Sequence, residues 1–212
     1  MLKGILFDFD GTLADSMDYH FLAWKKTFSE INIHIKKKDY FPLEGMDLKK
    51  IAIFFHKDLN ISDNQVNKLV ERKKIYYRIY KKKIKLYPKV KIIINKLIRL
   101  NIKIGIVTSS HSDSFYPLLS KKFISKFDCI VTGDKVKKNK PNPEPYINGL
   151  KLLNLKPSEC VAVENSPLGI ISATSAKLYC IAITSTMGKK YLKNANEIIN
   201  NITKIMNNKK LI

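Results

Sequence analysis

The chain has 212 residues, enough for one good-sized domain plus a small second one, and 45% of them are hydrophobic against 27% charged, which excludes a largely disordered chain. Its formal net charge of +21 comes from 36 lysines and only three arginines, Arg72, Arg78 and Arg99. A nucleic-acid reader normally exploits the planar fork of Arg, so nucleic acid is not the expected partner; a Lys-, Asn- and Ile-rich, Arg-poor chain follows the codon bias of an A+T-rich genome. The basic field would still draw anionic substrates toward a cleft.

In chain order, the first element is an apolar run over 2–7 that stops at Asp8. Asp8 and Asp10 interrupt it too soon for a signal peptide, and no run of about eighteen apolar residues is present to span a membrane. Residues 16–84 carry no convincing strand and several helix-period segments, the longest a basic helix over 64–83. An all-helical cap over 16–85 is therefore expected between two pieces of an α/β core, 1–15 and 86–212, with crossings near Ser16 and near Tyr87–Pro88. Four further β-branched runs follow, at 102–107, 129–132, 160–163 and 179–183. Continuous apolar runs of this kind are strands buried on both faces of a parallel sheet. Helical segments at 112–122, 143–154 and 167–177 separate them, which predicts a Rossmann-like, doubly wound α/β fold. The tail after Lys189 reads as a Lys/Asn-rich helical segment of no assigned role. Cys129, Cys160 and Cys180 are odd in number, form no CxxC pair and lie in apolar runs, so reduced buried thiols and a cytoplasmic location are expected.

The chemistry-bearing residues stand where the strands end. Asp8 and Asp10 project into the crevice at the carboxyl ends of an open α/β sheet, and Gly11 lets the chain turn away. One carboxylate there can attack phosphorus while the other handles the leaving-group proton. An isolated Asp pair also caps turns, however, and the Thr108-Ser109 pair closing the second run is a common strand ending. Ser166 and Pro167 fit the N-cap and first position of a helix.

The longer string Asp8-Phe9-Asp10-Gly11-Thr12-Leu13-Ala14-Asp15-Ser16 resembles the first motif of the haloacid dehalogenase superfamily. Ile104 to Ser109, Lys140-Pro141-Asn142-Pro143-Glu144 and Val161 to Gly169 resemble its second, third and fourth. The resemblance implies a phosphohydrolase in which Asp8 is the nucleophile, Asp10 the general acid and base, Thr108 and the Ser109 N–H hold a phosphoryl oxygen, and Lys140 neutralises the transferring group. Lys137 and Lys138 are expected to be solvated. It also implies Mg²⁺ as cofactor, held by Asp8, the Asp10 backbone carbonyl and Glu164/Asn165. Many relatives carry two acids at that last pair, so one negative charge is missing here and weaker metal binding is expected. Asp10 is expected to have a raised pKa, from burial and the neighbouring carboxylate.

Asp18 to Lys25 resembles the first cap helix of the β-phosphoglucomutase and sugar-phosphate phosphatase subgroup. That resemblance implies substrate-facing roles for His20, Gly45 and Lys73, with Trp24 in the cap core. The mutases of that subgroup grip a second phosphate with an Arg where this chain has Leu48, and Lys49 and Lys50 do not reproduce its fork. A monomeric phosphatase of a small phosphorylated metabolite is therefore expected ahead of a mutase. Asp10 argues against a dehalogenase, which needs no leaving-group proton donor.

Overall fold

The computed structural model describes residues 2–56 and 61–207; positions 57–60 of the expected cap and 208–212 of the expected tail lie outside the described residues. Five strands fall on the five predicted runs: β1 (Gly4–Phe7), β2 (Lys103–Val107), β3 (Cys129–Val131), β4 (Cys160–Glu164) and β5 (Tyr179–Ile183). A sixth, β6 (Glu197–Ile199), completes one sheet in the order β3-β2-β1-β4-β5-β6, with every neighbouring pair parallel.

Strand geometry sends alternate side chains to opposite faces, and here both faces are dry. Ile5, Phe7, Ile104, Ile106, Val161, Val163, Ile181 and Ile183 face one core. Leu6, Val107, Ala162, Cys180 and Ala182 face the other. All three cysteines are free and buried.

The first stretch after β1 is helical: α1 (Met17–Ser29), α2 (Lys37–Tyr40), α3 (Leu48–His56) and α4 (Asp63–Tyr80). These helices close around their own apolar cluster, in which Trp24 stacks on Phe28 and Phe55 tilts against Phe28. Ser62 and Gln65 form a capping box that starts α4, and Asp47 accepts the Lys49 and Lys50 amides at the start of α3. The outgoing and returning chains run side by side: Asp15 N–H donates to Lys85 O and Tyr87 N–H to Leu13 O, each at 2.9 Å.

The return leads into α5 (Val90–Arg99), a helix additional to the predicted ones. Its Val90, Ile93, Ile94 and Leu97 recur at helix spacing and cover the first sheet face. The expected helix over 112–122 is instead two short ones, α6 (Ser112–Phe115) and α7 (Lys121–Ile124). Pro117 sits in the turn between them, Leu119 is extended, and Ser120 starts α7 by accepting the Phe123 amide. On the second face lie α8 (Glu144–Leu153) and α9 (Pro167–Ser175), the latter capped by the Ser166 hydroxyl with Pro167 at its first position.

The tail corrects the sequence expectation of a helix. It contributes β6 and short 3₁₀ turns, and Asn196 ties β6 to β5 by donating its backbone N–H to Cys180 O at 2.9 Å and accepting the Cys180 amide on Oδ1 at 2.8 Å. Ile199, Ile202 and Ile205 then enter the first core. Asn is a poor helix former; Ile199 ends the edge strand, and Ile202 and Ile205 pack from the following 3₁₀ turn. No helix among the described residues is long and apolar enough to cross a membrane.

Candidate active site

β1 lies between β2 and β4, where the strand order reverses, so the crevice at its carboxyl end is the ligand position of an open α/β sheet. The ladder continues one residue past β1 and β2: Asp8 N–H donates to Val163 O and Thr108 N–H to Val131 O, both at 2.9 Å. Asp8, Thr108 and Glu164 thereby emerge together. Gly11 turns the chain with φ +81°, and a Cβ there would lie 2.1 Å from Asn165 Nδ2.

Lys140 is 3% exposed and centres one network. Its ammonium donates to Asp8 Oδ1 at 2.7 Å, Glu164 Oε1 at 2.6 Å and Val107 O at 3.1 Å. Tyr146 of α8 donates to the same Glu164 oxygen at 2.7 Å. Glu164 Oε2 is engaged by the Asn165 and Ser166 amides and the Ser166 hydroxyl. Glu164, expected as a metal ligand, therefore has both oxygens occupied and serves in this arrangement to hold Lys140.

Asp8 Oδ2 is buried and without a hydrogen-bond partner. Burial pushes the Asp8 carboxyl up; Lys140 opposes this, while Glu164 and Asp10 add to it. Burial works against the Lys140 ammonium, but Asp8 and Glu164 together raise its pKa. Two buried carboxylates, Asp8 and Glu164, share one ammonium, and the unpartnered Asp8 Oδ2 is an oxygen suited to a hard cation. Among the described residues no three His, Cys, Asp or Glu side chains converge as a metal cluster. A cation here would thus rest on few protein oxygens, as Mg²⁺ does.

Asp10 centres a second network. Its Oδ1 accepts from Ser16 Oγ at 2.6 Å and meets His20 Nε2 at 3.2 Å; its Oδ2 accepts from Ser110 Oγ at 2.8 Å and Thr108 Oγ1 at 3.4 Å. Ser16 stands at the N-cap position of α1 but spends its hydroxyl on Asp10 instead of the helix. Lys73 Nζ lies 3.2 Å from His20 Nδ1. An ammonium only donates, so Nδ1 accepts from Lys73 and Nε2–H is left to donate to Asp10. Tyr77 stacks on His20 with centroids 4.2 Å apart, and Lys73 Nζ lies 4.6 Å from the Tyr77 centroid. Burial brings the Lys73 pKa down to about 8, against the pull of Glu44 and Asp10.

The expected rise in the Asp10 pKa is overturned. Burial does raise it, but His20 and the bonds from Ser16 and Ser110 outweigh burial and hold it below the usual carboxylate range.

Asn165 donates from Nδ2 to Thr186 Oγ1 at 3.0 Å, and its Oδ1 receives Thr12 Oγ1 at 3.4 Å. Gly45, at φ +90°, lies over the Lys140 side chain, and its carbonyl accepts from Ser109 Oγ at 3.1 Å. Lys137 and Lys138 are exposed. A cavity of about 10 Å³ lies among Asp8, Asp10, Gly45, Thr108, Lys140 and Asn165, with room for no more than about one water. A neighbouring cavity of about 170 Å³ between helices α1–α4 and the sheet is lined by His20, Leu48, Lys49, Lys73 and Tyr77. Glu44, Gly45 and Ser109 border both.

Ser16, Ser110, Tyr146 and Thr186 are site residues that the sequence motifs did not single out. Ser110 was within reach, as the next hydroxyl after Thr108-Ser109; Tyr146 and Thr186 carry no local signal.

The profile described as haloacid dehalogenase-like hydrolase matches residues 5–183. The chain is 28% identical to a β-phosphoglucomutase of Bacillus subtilis (strain 168) over 191 residues, covering 86% of this chain and 83% of the relative. It is 25% identical to a validoxylamine A 7′-phosphate phosphatase of Streptomyces hygroscopicus subsp. limoneus over 207 residues, 97% of this chain and 96% of the relative. Among solved structures, a β-phosphoglucomutase from Clostridium difficile superposes with a TM-score of 0.84 at 26% identity, covering 98% of this chain and 96% of the other.

Proposed function

The chain belongs to the haloacid dehalogenase-like hydrolases, and within that family we propose that it is a Mg²⁺-dependent phosphatase of a small sugar phosphate, working through an aspartyl-phosphate on Asp8. The observation that carries this reading is the Lys140 ammonium bridging Asp8 and Glu164 while Asp8 Oδ2 keeps its lone pairs free, beside an Asp10 held by four side chains.

Asp8, the Asp10 carbonyl and Asn165 Oδ1 are the oxygens that would hold Mg²⁺. The ion supplies positive charge against the phosphoryl oxygens when bound. The remaining chemistry falls to the chain's own groups. Lys140 and Thr108 orient the phosphoryl group, and Lys140 offsets the charge that develops on it. The Asp8 carboxylate attacks phosphorus in line as the bond to the leaving oxygen breaks. That oxygen needs a proton. Asp10 relays it from His20 Nε2, 3.2 Å away, as the Lys73 ammonium, 3.2 Å from Nδ1, protonates the other ring nitrogen, so that Lys73 is the net proton donor. In the second half, the Asp10 carboxylate, kept deprotonated by its lowered pKa, takes a proton from the water that attacks the aspartyl-phosphate. The small cavity at Asp8 admits about one water, so a substrate enters with the helices withdrawn from Ser109 and Asp10.

Leu48, where the mutases of this subgroup carry an Arg, favours phosphatase over mutase: the neighbouring Lys49 offers a point charge and not a fork. Phosphate release from a panel of sugar phosphates and nucleotides with Mg²⁺ tests the reading, with a separate assay of β-glucose 1-phosphate plus glucose 1,6-bisphosphate. Release that disappears in Asp8→Asn supports it. Glucose 6-phosphate formed without net phosphate release establishes the mutase instead.

A further inference from the structure

The cavity of about 170 Å³ beside the site holds two buried polar atoms that nothing in the protein satisfies. One is the Tyr77 hydroxyl, on α4; the other is Asn139 Oδ1, from the loop on the sheet side that carries Lys140. Tyr77 is 3% exposed and its ring is fully used, stacked on His20 and lying under Lys73, but its hydroxyl is idle. Tyr40, on the same wall, differs: its hydroxyl donates to Glu44 Oε2 at 2.6 Å. The Asn139 amide is half used, since Nδ2 donates to Gly133 O at 3.3 Å and Oδ1 has no donor.

A buried polar group left without a partner costs stability, and a chain tolerates that where a ligand supplies the partner. The two idle groups are complementary in kind. Amide oxygen only accepts. Burial, followed by the nearby charges of Asp10 and Glu44, pushes the Tyr77 phenol well above its ordinary pKa, so it stays protonated and donates. A ligand that serves both must offer an acceptor to Tyr77 and a donor to Asn139, as two hydroxyls of one sugar do.

We propose that Tyr77 and Asn139 are specificity-determining residues of the reaction, selecting a polyhydroxylated leaving group by donating to one of its oxygens and accepting from another. This rests on the sugar-phosphate phosphatase reading above and adds the two residues that read the sugar's hydroxyls. Phosphate esters of simple alcohols or phenols leave both groups idle and are poor substrates.

The test compares kcat/KM for the sugar phosphate that the wild-type enzyme hydrolyses fastest with kcat/KM for p-nitrophenyl phosphate, in wild type, Tyr77→Phe and Asn139→Ala. Phe keeps the stacking on His20 and removes only the hydroxyl. The selectivity ratio is expected to fall about 10- to 100-fold in Tyr77→Phe, the effect of leaving one ligand oxygen unpaired, and to fall also in Asn139→Ala. The melting temperature of Tyr77→Phe should not drop, because no bond within the protein is lost. A purely structural Tyr77 would lower both rates together and leave the ratio unchanged, which overturns the inference while the phosphatase reading stands. Wild-type enzyme that hydrolyses neither substrate removes both.

Discussion

The two charged networks of the site are built on opposite plans. The Lys140 network belongs wholly to the sheet: Asp8, Glu164, Val107 and Tyr146 come from strand ends and α8. The Asp10 network crosses a boundary, because His20 and Lys73 belong to the helical insertion while Ser110 and Thr108 belong to the sheet. The first is fixed when the sheet folds; the second is complete only when the helices rest on it. Under the proposed mechanism this difference would divide the labour: Asp8 and its counter-charge stay on the sheet, whereas Asp10 receives His20, backed by Lys73, from the helices.

The largest expected effect breaks the permanent network. Lys140→Ala should lower kcat roughly 10²- to 10³-fold, as loss of a preorganised charge stabiliser does. It should also destabilise the fold by about 3–5 kcal/mol, since Asp8 and Glu164 are left buried without their cation. Steady-state kinetics and urea unfolding read the two effects, and an active, equally stable variant would remove Lys140 from the centre of the account.

The next effect concerns the boundary network. The Lys73 pKa falls from 10.5 to about 8 on folding. Below about pH 8 both states are protonated, and the folded state bears the full cost of the buried ammonium. Between about 8 and 10.5 the unfolded state binds the extra proton, so stability rises with pH. At about 1.36 kcal/mol per unit the ceiling is about 3 kcal/mol. The stability of wild type minus that of Lys73→Met, by urea unfolding across this range, should climb with pH; a flat difference contradicts the assignment.

The smallest effect tests how the core side is tuned. Thr186→Val frees the Asn165 carboxamide from its bond at Nδ2. Partners behind a ligand typically govern 10- to 100-fold in metal affinity, and Mn²⁺ titrated calorimetrically into the enzyme should bind about tenfold more weakly in the variant. Unchanged binding would show that Asn165 needs no such support.

The same division explains what the sequence made legible. Asp8, Thr108, Lys140 and Glu164 close or follow apolar runs and lie in local strings, so both their position in the fold and their convergence could be read from the chain. The order of the strands that brings them together could not, because pairing is settled by tertiary packing. Tyr146 and Thr186 reach the site through contacts between segments far apart in sequence, and nothing local distinguishes them from core aromatics or surface hydroxyls. The Asp10 expectation failed for the same reason: burial was foreseeable from the motif, whereas the bonds from Ser16 and Ser110 that reverse its effect were not. In the tail, the segment read as a helix, and only the pairing of Glu197, Ile198 and Ile199 with β5 shows the edge strand that forms there.

The most direct test of the central claim is to trap the phosphoryl group on the chain. Enzyme turning over its fastest sugar phosphate with Mg²⁺ is quenched in acid, digested and mapped by mass spectrometry. The account predicts a phosphoryl group on the peptide containing Asp8 in wild type, and neither that label nor phosphate release in Asp8→Asn. Undiminished phosphate release by Asp8→Asn would contradict it.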